Sequence, residues 1–399
     1  MIFIQLEITN KNKMNRTIKI GFLFPFSTIA PNMSQDIIDG FYSAIPENYR
    51  KYFQFYPEYI DKGNHELIKT AINKLIMFHN VDVVSGIVSY KLIPEITRLI
   101  EQRKKIGFFF DIGEYLPPIQ ALSENIFFNS LQFWQLEYAL GKWAQQQFTG
   151  KGAMVLSVYE AGYQMHSAFW QGAMSSGAEE IDMHILPFNP QIKNIEPIVE
   201  SYLQTLEKQD IQYLHALFCG DEACEFFNAY KKSKLCNKIP LLVSPHMASE
   251  EILDSFKDTN MTLYSASGWD YHSNDDKNTT FKTNYQFTSG KKATEFAVMG
   301  LEMGLLFGQI LSVLQKGDTK EIINAITVAR INGPRAERNF KHDISLSSPA
   351  INIEKISTHH NHATKIVVDQ GKALHHNHHT FHEIHSQSVS GWKNPYLCI

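Results

Sequence analysis

Apolar runs and amphipathic stretches alternate along the first 112 residues of the chain. Continuous apolar runs such as IKIGFLF suit the strands of a sheet that is buried on both faces. The stretches between them carry apolar residues at helical spacing. The predicted strands are 18–24, 51–60, 81–88 and 106–112, and the predicted helices between them are 36–45, 66–80 and 90–104. This order predicts a parallel sheet with helices on both faces.

The alternation then begins again, which predicts a second lobe of the same kind. We expect helices at 136–148, 166–177, 195–209, 222–235 and 248–256, strands at 152–159, 180–188, 213–219, 239–245 and 261–267, and a long helix at 294–317. Gly177 ends one of these helices and suits a C-terminal cap. The fold class is therefore α/β, with two doubly wound lobes. Ligands of such sheets bind at the carboxyl ends of the strands, here in a cleft between the lobes.

Composition and charge narrow the class of partner. The 399 residues are 44% hydrophobic and 20% charged, and their net charge is −4, so no basic field draws the chain to nucleic acid or anionic lipid. No apolar run approaches the roughly 18 residues of a membrane span. The cysteines form no CxxC pair and lack zinc-site spacing, so we expect free thiols; they are Cys219, Cys224, Cys236 and Cys398.

The stretch MNRTIKIGFLFPFSTIAP, residues 14–31, has two interpretations. As a secretion leader it offers Arg16 and Lys19 before an apolar middle, with Ala30 as a cleavage position. As the start of a domain it supplies the first strand that the alternating pattern needs, and cleavage after Ala30 would remove that strand. We therefore expect structure rather than a leader. An export signal would then lie upstream, or the protein would stay inside the cell.

Seven segments follow one another in an order and spacing typical of one family. They are IKIGFLFPFS, DVVSGIVSYKLIPEI, KKIGFFFDIGE, GAMVLSVYEAGYQMHSAF, ATEFAVMGLEMGLLFGQIL, INGPRAERNF and HHNHATKIVV. Together they resemble the type I periplasmic binding proteins, specifically the branched-chain amino-acid and amide branch of the solute receptors of ABC transporters. The resemblance covers about residues 17–368. It implies two lobes that close by hinge bending around a small solute.

The resemblance also implies the domain boundaries. Lobe one comprises residues 17–130 and 268–331, and lobe two comprises residues 131–267 and 332–368, so the chain crosses between them near Ser130, Ser267–Trp269 and Asn332–Pro334. Residues 1–16 form an N-terminal extension, and residues 369–399 form a histidine-rich tail.

In lobe one, the resemblance implies ligand contacts from three loops. The candidate residues are Phe26, Ser27, Ser89, Tyr90, Asp111, Gly113 and Glu114. A serine at the Ser89 position typically donates to a ligand carboxylate in the family; alternatively, Ser89 caps the helix that begins near Lys91. Asp111 and Glu114 depart from the small hydroxyl residues usual in their loop and would repel a carboxylate, which leaves room for a cationic, amide or polyol ligand. Alternatively, each acid faces solvent or caps the next turn.

In lobe two, the candidate residues are Glu160, Tyr163, Asp221, Glu222 and His246, and a further candidate, Trp269, lies at the second crossing. The resemblance implies that an aromatic residue in the loop of Tyr163 packs over the ligand. His246 stands where amino-acid receptors often carry an acid for the ammonium group, which argues against an α-amino acid; alternatively, it is a hydrogen-bonding surface residue. Trp269 is either a wedge at the hinge or a wall of the cleft.

These features predict a solute receptor that delivers a small polar ligand, such as an amino acid or amide, to ABC permease subunits. Such a receptor is periplasmic. The alternative is a cytoplasmic ligand sensor of the same fold. The chain has no GxSxG elbow, P-loop or GxGxxG motif, so we expect neither an enzyme nor a cofactor. A catalytic two-lobe protein with an unrecognised site is a third, weaker hypothesis.

The C-terminal segment is rich in histidine. Nine of the 17 histidines lie between His359 and His385. Its HEIH sequence lacks the HExxH spacing that places two ligands on one helix face. We therefore interpret it as a polar tail with weak periodicity, and we expect adventitious nickel or zinc affinity rather than a specific metal site.

Overall fold

The computed structural model describes residues 16–117, 122–187, 189, 191–340, 350–359, 363–375 and 377–386. The first part of the chain contains strands β1 (Ile18–Phe24), β2 (Phe53–Tyr59), β3 (Val83–Ile87), β4 (Ile106–Asp111) and β5 (Ile126–Ser130), with helices α1 (Met33–Ala44), α2 (Glu47–Arg50), α3 (His65–Met77) and α4 (Ile93–Gln102). The strands form one parallel sheet in the order β2-β1-β3-β4-β5. The strand predicted at 18–24 is confirmed at both ends.

The second part of the chain repeats the alternation. It contains α5 (Phe133–Phe148), β6 (Gly152–Ser157), α6 (Met165–Met174), β7 (Ile181–Leu186), α7 (Glu196–Leu206), β8 (Tyr213–Leu217), α8 (Gly220–Lys232), β9 (Leu241–Val243), α9 (Glu250–Asp254) and β10 (Thr262–Ser267). These strands pair in parallel. The predicted α/β class with two sheet-based lobes is confirmed.

The last part of the chain returns to the first sheet and then to the second. It contains α10 (Asp276–Ser289), α11 (Glu295–Gln309), α12 (Leu311–Lys316), α13 (Thr319–Val328), β11 (Ile331–Gly333), β12 (Ala336–Arg338), β13 (Ile351–Ser357), β14 (Thr364–Gly371) and α14 (His378–Ser386). The second sheet has the order β14-β13-β10-β9-β8-β6-β7, and β11 pairs with β12 alone. Because β13 and β14 run antiparallel, this sheet is mixed rather than purely parallel. The predicted domain boundaries stay a prediction.

The long helix predicted at 294–317 is interrupted. Its first part, α11, ends before Ile310, whose backbone leaves the helical region at φ −101° and ψ 15°. Helix α11 packs closely on α1, where a Cβ on Gly300 would lie 1.9 Å from the carbonyl oxygen of Ile37. Glycine at this position therefore permits the close approach that attaches α11 to the first sheet's layer of helices.

The interpretation of the C-terminal segment as a polar tail is wrong for residues 378–386, which form α14. Phe381 and Ile384 are buried in a cluster with Leu116 and Trp134, and the rings of Phe381 and Trp134 lie 5.5 Å apart. Residues three apart fall on one face of a helix, so two apolar side chains suffice to dock a segment that is otherwise polar.

Within the described residues, no helix is long and apolar enough to cross a membrane. Cys219, Cys224 and Cys236 are not in disulfides, whereas Cys398 lies outside the described residues.

Candidate functional site

The loops that follow β4 and β6 meet between the two sheets. The hydroxyl of Tyr115 donates to the carbonyl oxygen of Gly162 at 3.0 Å, and the backbone N–H of Gln164 donates to the carbonyl oxygen of Glu114 at 2.9 Å. The backbone N–H of Leu116 donates to the side chain of Gln164 at 2.8 Å. Because β4 and β6 belong to different sheets, these bonds join the two lobes and close the space between them.

Three carboxyl groups lie in this closed space, and all three are fully buried: Asp111, Glu114 and Glu160. The hydroxyl of Ser130 donates to Asp111 at 3.1 Å. Neither carboxyl oxygen of Glu114 has a hydrogen-bond partner among the described residues, and neither does Oε2 of Glu160. The alternative that Asp111 or Glu114 faces solvent is therefore wrong.

Burial shifts the pKa of each of these acids upward. It raises the pKa of Asp111 to about 7 and that of Glu160 to about 8. Burial also raises the pKa of Glu114 well above its ordinary value, and repulsion from Asp111 and Glu160 adds to this effect, while Lys91 acts against it. The site thus holds more potential negative charge than its own cations offset.

Tyrosine rings surround the acids. The rings of Tyr115 and Tyr163 lie 5.4 Å apart at 67°, and Tyr159 and Tyr163 lie 5.4 Å apart at 77°. The hydroxyl of Tyr163 donates to that of Tyr159 at 2.7 Å. The ammonium group of Lys91 lies 3.9 Å from the centre of the Tyr115 ring. These faces offer electron-rich surface to a cation and apolar area to the rest of a solute.

The neutral polar side chains of Ser89 and Gln132 are also buried, and within the described part of the chain neither Ser89 Oγ nor the amide atoms of Gln132 have a hydrogen-bond partner. Ser89 precedes the short 3₁₀ turn Tyr90–Leu92, but its hydroxyl makes no capping bond, so the capping alternative does not describe it. Gln132 lies beside Gly113, where a Cβ would come within 2.4 Å of the Gln132 Cα. Gly113 has φ +80°, so both the backbone conformation and the close approach require glycine there.

The first loop of lobe one contributes less to this site. The side chain of Phe26 is 55% exposed. Ser27 is buried, and its hydroxyl oxygen accepts from the backbone N–H groups of Ile29 and Ala30, which closes its own turn. Ile29 lies beside Gly220 of lobe two, so this loop faces the start of α8.

The two acids at the start of α8 differ in their exposure to solvent. Asp221 is exposed, whereas Glu222 is partly buried and burial raises its pKa. A hydrogen bond with Ser157 acts against that shift, and Glu222 in turn repels Glu160. The structure therefore brings Glu222 near the buried acids and leaves Asp221 in solvent.

His246 and Trp269 occupy the side of the site near the chain crossings. The His246 ring lies 5.0 Å from that of Phe133, and burial lowers its pKa to about 3, so the imidazole is neutral. Trp269 donates from its indole N–H to Asn278 at 2.8 Å and packs against Phe281. It also borders a small cavity that Phe133 lines, so its role as a wedge at the hinge or as a wall of the cleft stays a prediction.

A buried ion pair lies next to these crossings. Nε of Arg335 donates to Glu302 at 2.9 Å, and its other nitrogens donate to the carbonyl oxygen of Ser130 at 3.1 Å and to Asn129 at 2.8 Å. Burial alone would raise the pKa of Glu302, but Arg335 holds it below its ordinary value. This network ties β5, α11 and the β11–β12 turn together.

Sequence reasoning missed several residues of the site: Tyr115, Gln132, Tyr159, Gln164 and Cys219. Tyr115 directly follows the acidic loop and Tyr159 begins the YEAGY segment, so a fuller count of loop aromatics would have found both. Nothing in the sequence identifies Gln132, because its position depends on a left-handed backbone at φ 56°.

Comparisons with known proteins agree with this architecture. The sequence profile of a family described as periplasmic binding protein matches residues 17–350. An ABC transporter substrate-binding protein from Sphaerobacter thermophilus has a TM-score of 0.76 at 17% identity, over 89% of this chain and 98% of that one. A search of curated proteins found no match.

Two further solved structures were determined with ligands. A solute-binding protein of an ABC transporter from R. palustris, in complex with benzoate, has a TM-score of 0.68 at 17% identity and covers 90% of this chain and 98% of its own. A branched-chain amino acid transporter substrate binding protein from Streptococcus pneumoniae, in complex with isoleucine, has a TM-score of 0.64 at 12% identity and covers 88% and 99%. At these identities the structural likeness establishes the fold alone.

Proposed function

We propose that this chain, which belongs to the periplasmic binding protein family, captures a small polar solute between its lobes and presents it to the permease of an ABC transporter. The observation that carries the proposal is the meeting of the β4 and β6 loops, where buried polar groups from both lobes surround one space. Solved structures of the same fold, named as substrate-binding proteins of ABC transporters, support it and favour a receptor over a sensor.

The proposal assigns ligand contact to Ser89, Glu114, Glu160 and Tyr163. Their side chains are buried at the carboxyl ends of β3, β4 and β6, where ligands of doubly wound sheets bind. Phe26 and Asp221 are exposed, and the proposal assigns them no ligand contact. In the same proposal, lobe one (17–130 and 268–331) and lobe two (131–267 and 332–368) are the two bodies that move.

Tyr163→Ala and Ser89→Ala should each weaken the bound solute by about 1–3 kcal/mol, the scale of a buried aromatic contact or hydrogen bond. Calorimetric titration with the solute that native mass spectrometry finds on the purified protein measures this. Tyr59→Ala, at a side chain that is 79% exposed, is the control and should leave affinity unchanged. Unaltered affinity in both site variants would place the ligand elsewhere.

We also propose a periplasmic location and ABC permease subunits as partners, because both are properties of the receptors in this family. Fractionation of cells that express the protein natively tests the location. Recovery from the cytosol alone would overturn the transport function in favour of a cytoplasmic sensor. Recovery of the solute unchanged after long incubation would agree with a binding protein, whereas its conversion would support an enzyme.

A further inference from the structure

We propose that the solute is a small organic cation, an amine, whose charged group binds between Glu114 and Glu160. This inference rests on the proposed receptor function and names the chemistry of its ligand. A cation is the partner that two buried carboxylates from opposite lobes lack.

The position of the acids supports a ligand contact rather than a structural role. Glu114 comes from the loop after β4, and Glu160 comes from the loop after β6, so the lobes bring one acid each to the closed space. Buried carboxyl groups that serve structure are paired, as Glu302 is with Arg335. Neither carboxyl oxygen of Glu114 has a hydrogen-bond partner among the described residues, and the nearby carboxyl group of Glu160 raises its pKa rather than pairing with it.

Ser89 and Gln132 provide an independent observation at the same place. Both are almost completely buried, and neither Ser89 Oγ nor either amide atom of Gln132 has a partner within the described part of the chain. Ser89 follows the end of β3, which pairs with β4, and the Gln132 backbone N–H donates to the hydroxyl oxygen of Ser130, whose hydroxyl donates to Asp111. Buried polar atoms that find no partner in the protein mark positions for ligand hydrogen bonds. An amine that also carries a polar group would satisfy them.

The surroundings favour an organic cation over a metal ion. Among the described residues, no three His, Cys, Asp or Glu side chains come close enough together to hold a metal. Aromatic faces, in contrast, stabilise ammonium groups, and the ammonium of Lys91 already lies over the Tyr115 ring. Lys91 therefore partly offsets the acids and competes with a bound amine. A carboxylate ligand would disfavour ionisation of the three buried acids still further, whereas an ammonium group favours their ionised form and pairs with it.

Matched ligands of opposite charge test the inference. Thermal unfolding is measured for the full chain with benzylamine and 1,4-diaminobutane, and in parallel with benzoate and isoleucine. We expect the amines to raise Tm and the two carboxylate-bearing compounds to leave it unchanged, because only a ligand that binds the folded state stabilises it. A rise with benzoate or isoleucine alone overturns the cation inference while leaving the receptor function intact.

Two variants with opposite expected effects identify the contact. Glu114→Gln should weaken benzylamine binding about tenfold or more, since it removes a charge-assisted contact. Lys91→Met should strengthen it, because it removes the internal competitor. Glu101→Gln, on the exposed face of α4, is the control. Without ligand, Glu114→Gln should melt above the wild type, because the cost of holding the buried Glu114 carboxyl group protonated above its ordinary pKa is gone, so weaker binding could not be attributed to misfolding. Unchanged affinity in both site variants would overturn the proposal.

Native mass spectrometry of the protein as purified distinguishes a failure of the cation inference from a failure of the receptor function. A co-purified amine supports both the receptor function and the cation inference. A co-purified neutral or anionic solute supports the receptor and overturns the cation. Stabilisation by none of the four compounds overturns the cation inference, and the additional lack of any co-purified solute counts against the receptor function as well.

Discussion

The side chain of Glu160 illustrates how far a residue's chemistry departs from what its sequence position suggests. It stands in a polar loop, yet it is fully buried, and burial raises its pKa from 4.5 to about 8 while the Cys219 thiol donates to it. The titratable groups that face it are Cys219, Glu222, Glu137, Glu114, Tyr115 and Tyr163. An acid with a raised folded pKa binds its proton more tightly in the folded state, so its burial lowers stability progressively as pH rises from about 4.5 to about 8, and the loss is constant at higher pH.

Glu160→Gln should therefore raise the Tm of the ligand-free protein at pH values above 8 and have little effect near pH 4.5, where the wild-type carboxyl group is protonated in the folded protein. Differential scanning calorimetry across this range measures the difference between the two proteins. Asp221→Asn, at an exposed acid, should change Tm little at any pH. Plots of Tm against pH that stay parallel for wild type and Glu160→Gln over the whole range would contradict the raised pKa of Glu160.

At the scale of residues, the sequence identified the acids Asp111, Glu114 and Glu160 because they follow predicted strands. It could not establish that they are buried, since burial depends on the loop from the other lobe that covers them. Ser89 was found by the same strand-end argument. Gln132 was not, because its place depends on backbone geometry that the residue type does not indicate.

Among the elements, helix α14 shows most clearly that two apolar side chains can dock a helix in an otherwise polar segment. Phe381 and Ile384 insert beside Trp134 and Leu116, and the ring of His385 lies within hydrogen-bond distance, 2.8 Å, of the Gln164 side-chain nitrogen. The helix thereby contacts a loop of lobe one and the helices α5 and α6 of lobe two.

Phe381→Ala should destabilise the docked helix by about 3 kcal/mol, the low end for removal of a buried phenylalanine side chain. Hydrogen exchange of the amides in α14 measures this destabilisation. We expect protection against exchange to fall in α14 before it falls elsewhere in the protein. Phe78→Ala, at a side chain that is 84% exposed, is the matched control and should be near neutral. Equal protection of α14 in both variants would mean that Phe381 does not hold the helix.

The hydrophobic pattern predicts most strands and helices because each buries one apolar face or run. It misses β5, whose sequence IFFNS is short and ends on Asn129 and Ser130, polar residues whose partners, Arg335 among them, come from distant segments. It misses α10 for a similar reason. That helix is largely polar, and the Asp275 cap together with the buried Phe281 and Tyr285 side chains fixes it.

At the scale of the whole molecule, the contacts that join distant segments of the chain lie where it is predicted to cross between the lobes. Arg335 bonds Ser130 at one predicted crossing and follows another, so the network with Glu302 joins segments that are far apart in sequence. The resemblance to the receptor family implies that such crossings exist. It does not predict their ion pair, because the two partners lie in segments whose proximity only the complete fold creates.

Arg335→Met should lower the free energy of unfolding by about 3–5 kcal/mol, since it leaves the Glu302 carboxylate buried and unpaired. Urea denaturation followed by tryptophan fluorescence measures this. The exposed pair of Arg330 with Glu337 supplies the control, because Arg330→Met should cost only about 0–1 kcal/mol. A loss no larger than that of the control would show that the buried pair does not stabilise the fold.

The docking of α14 across the seam between the lobes has a practical consequence for handling the protein. His378, His379 and His382 are exposed on this helix, and the helix itself contacts both lobes. Immobilised nickel that captures the chain through its own histidines therefore holds the molecule where the two lobes meet. If the lobes move as proposed, a sensor chip or affinity resin of that type would restrain them. Attachment near the other terminus, where Arg16 donates to Leu314 and Gln315 of one lobe, avoids this contact.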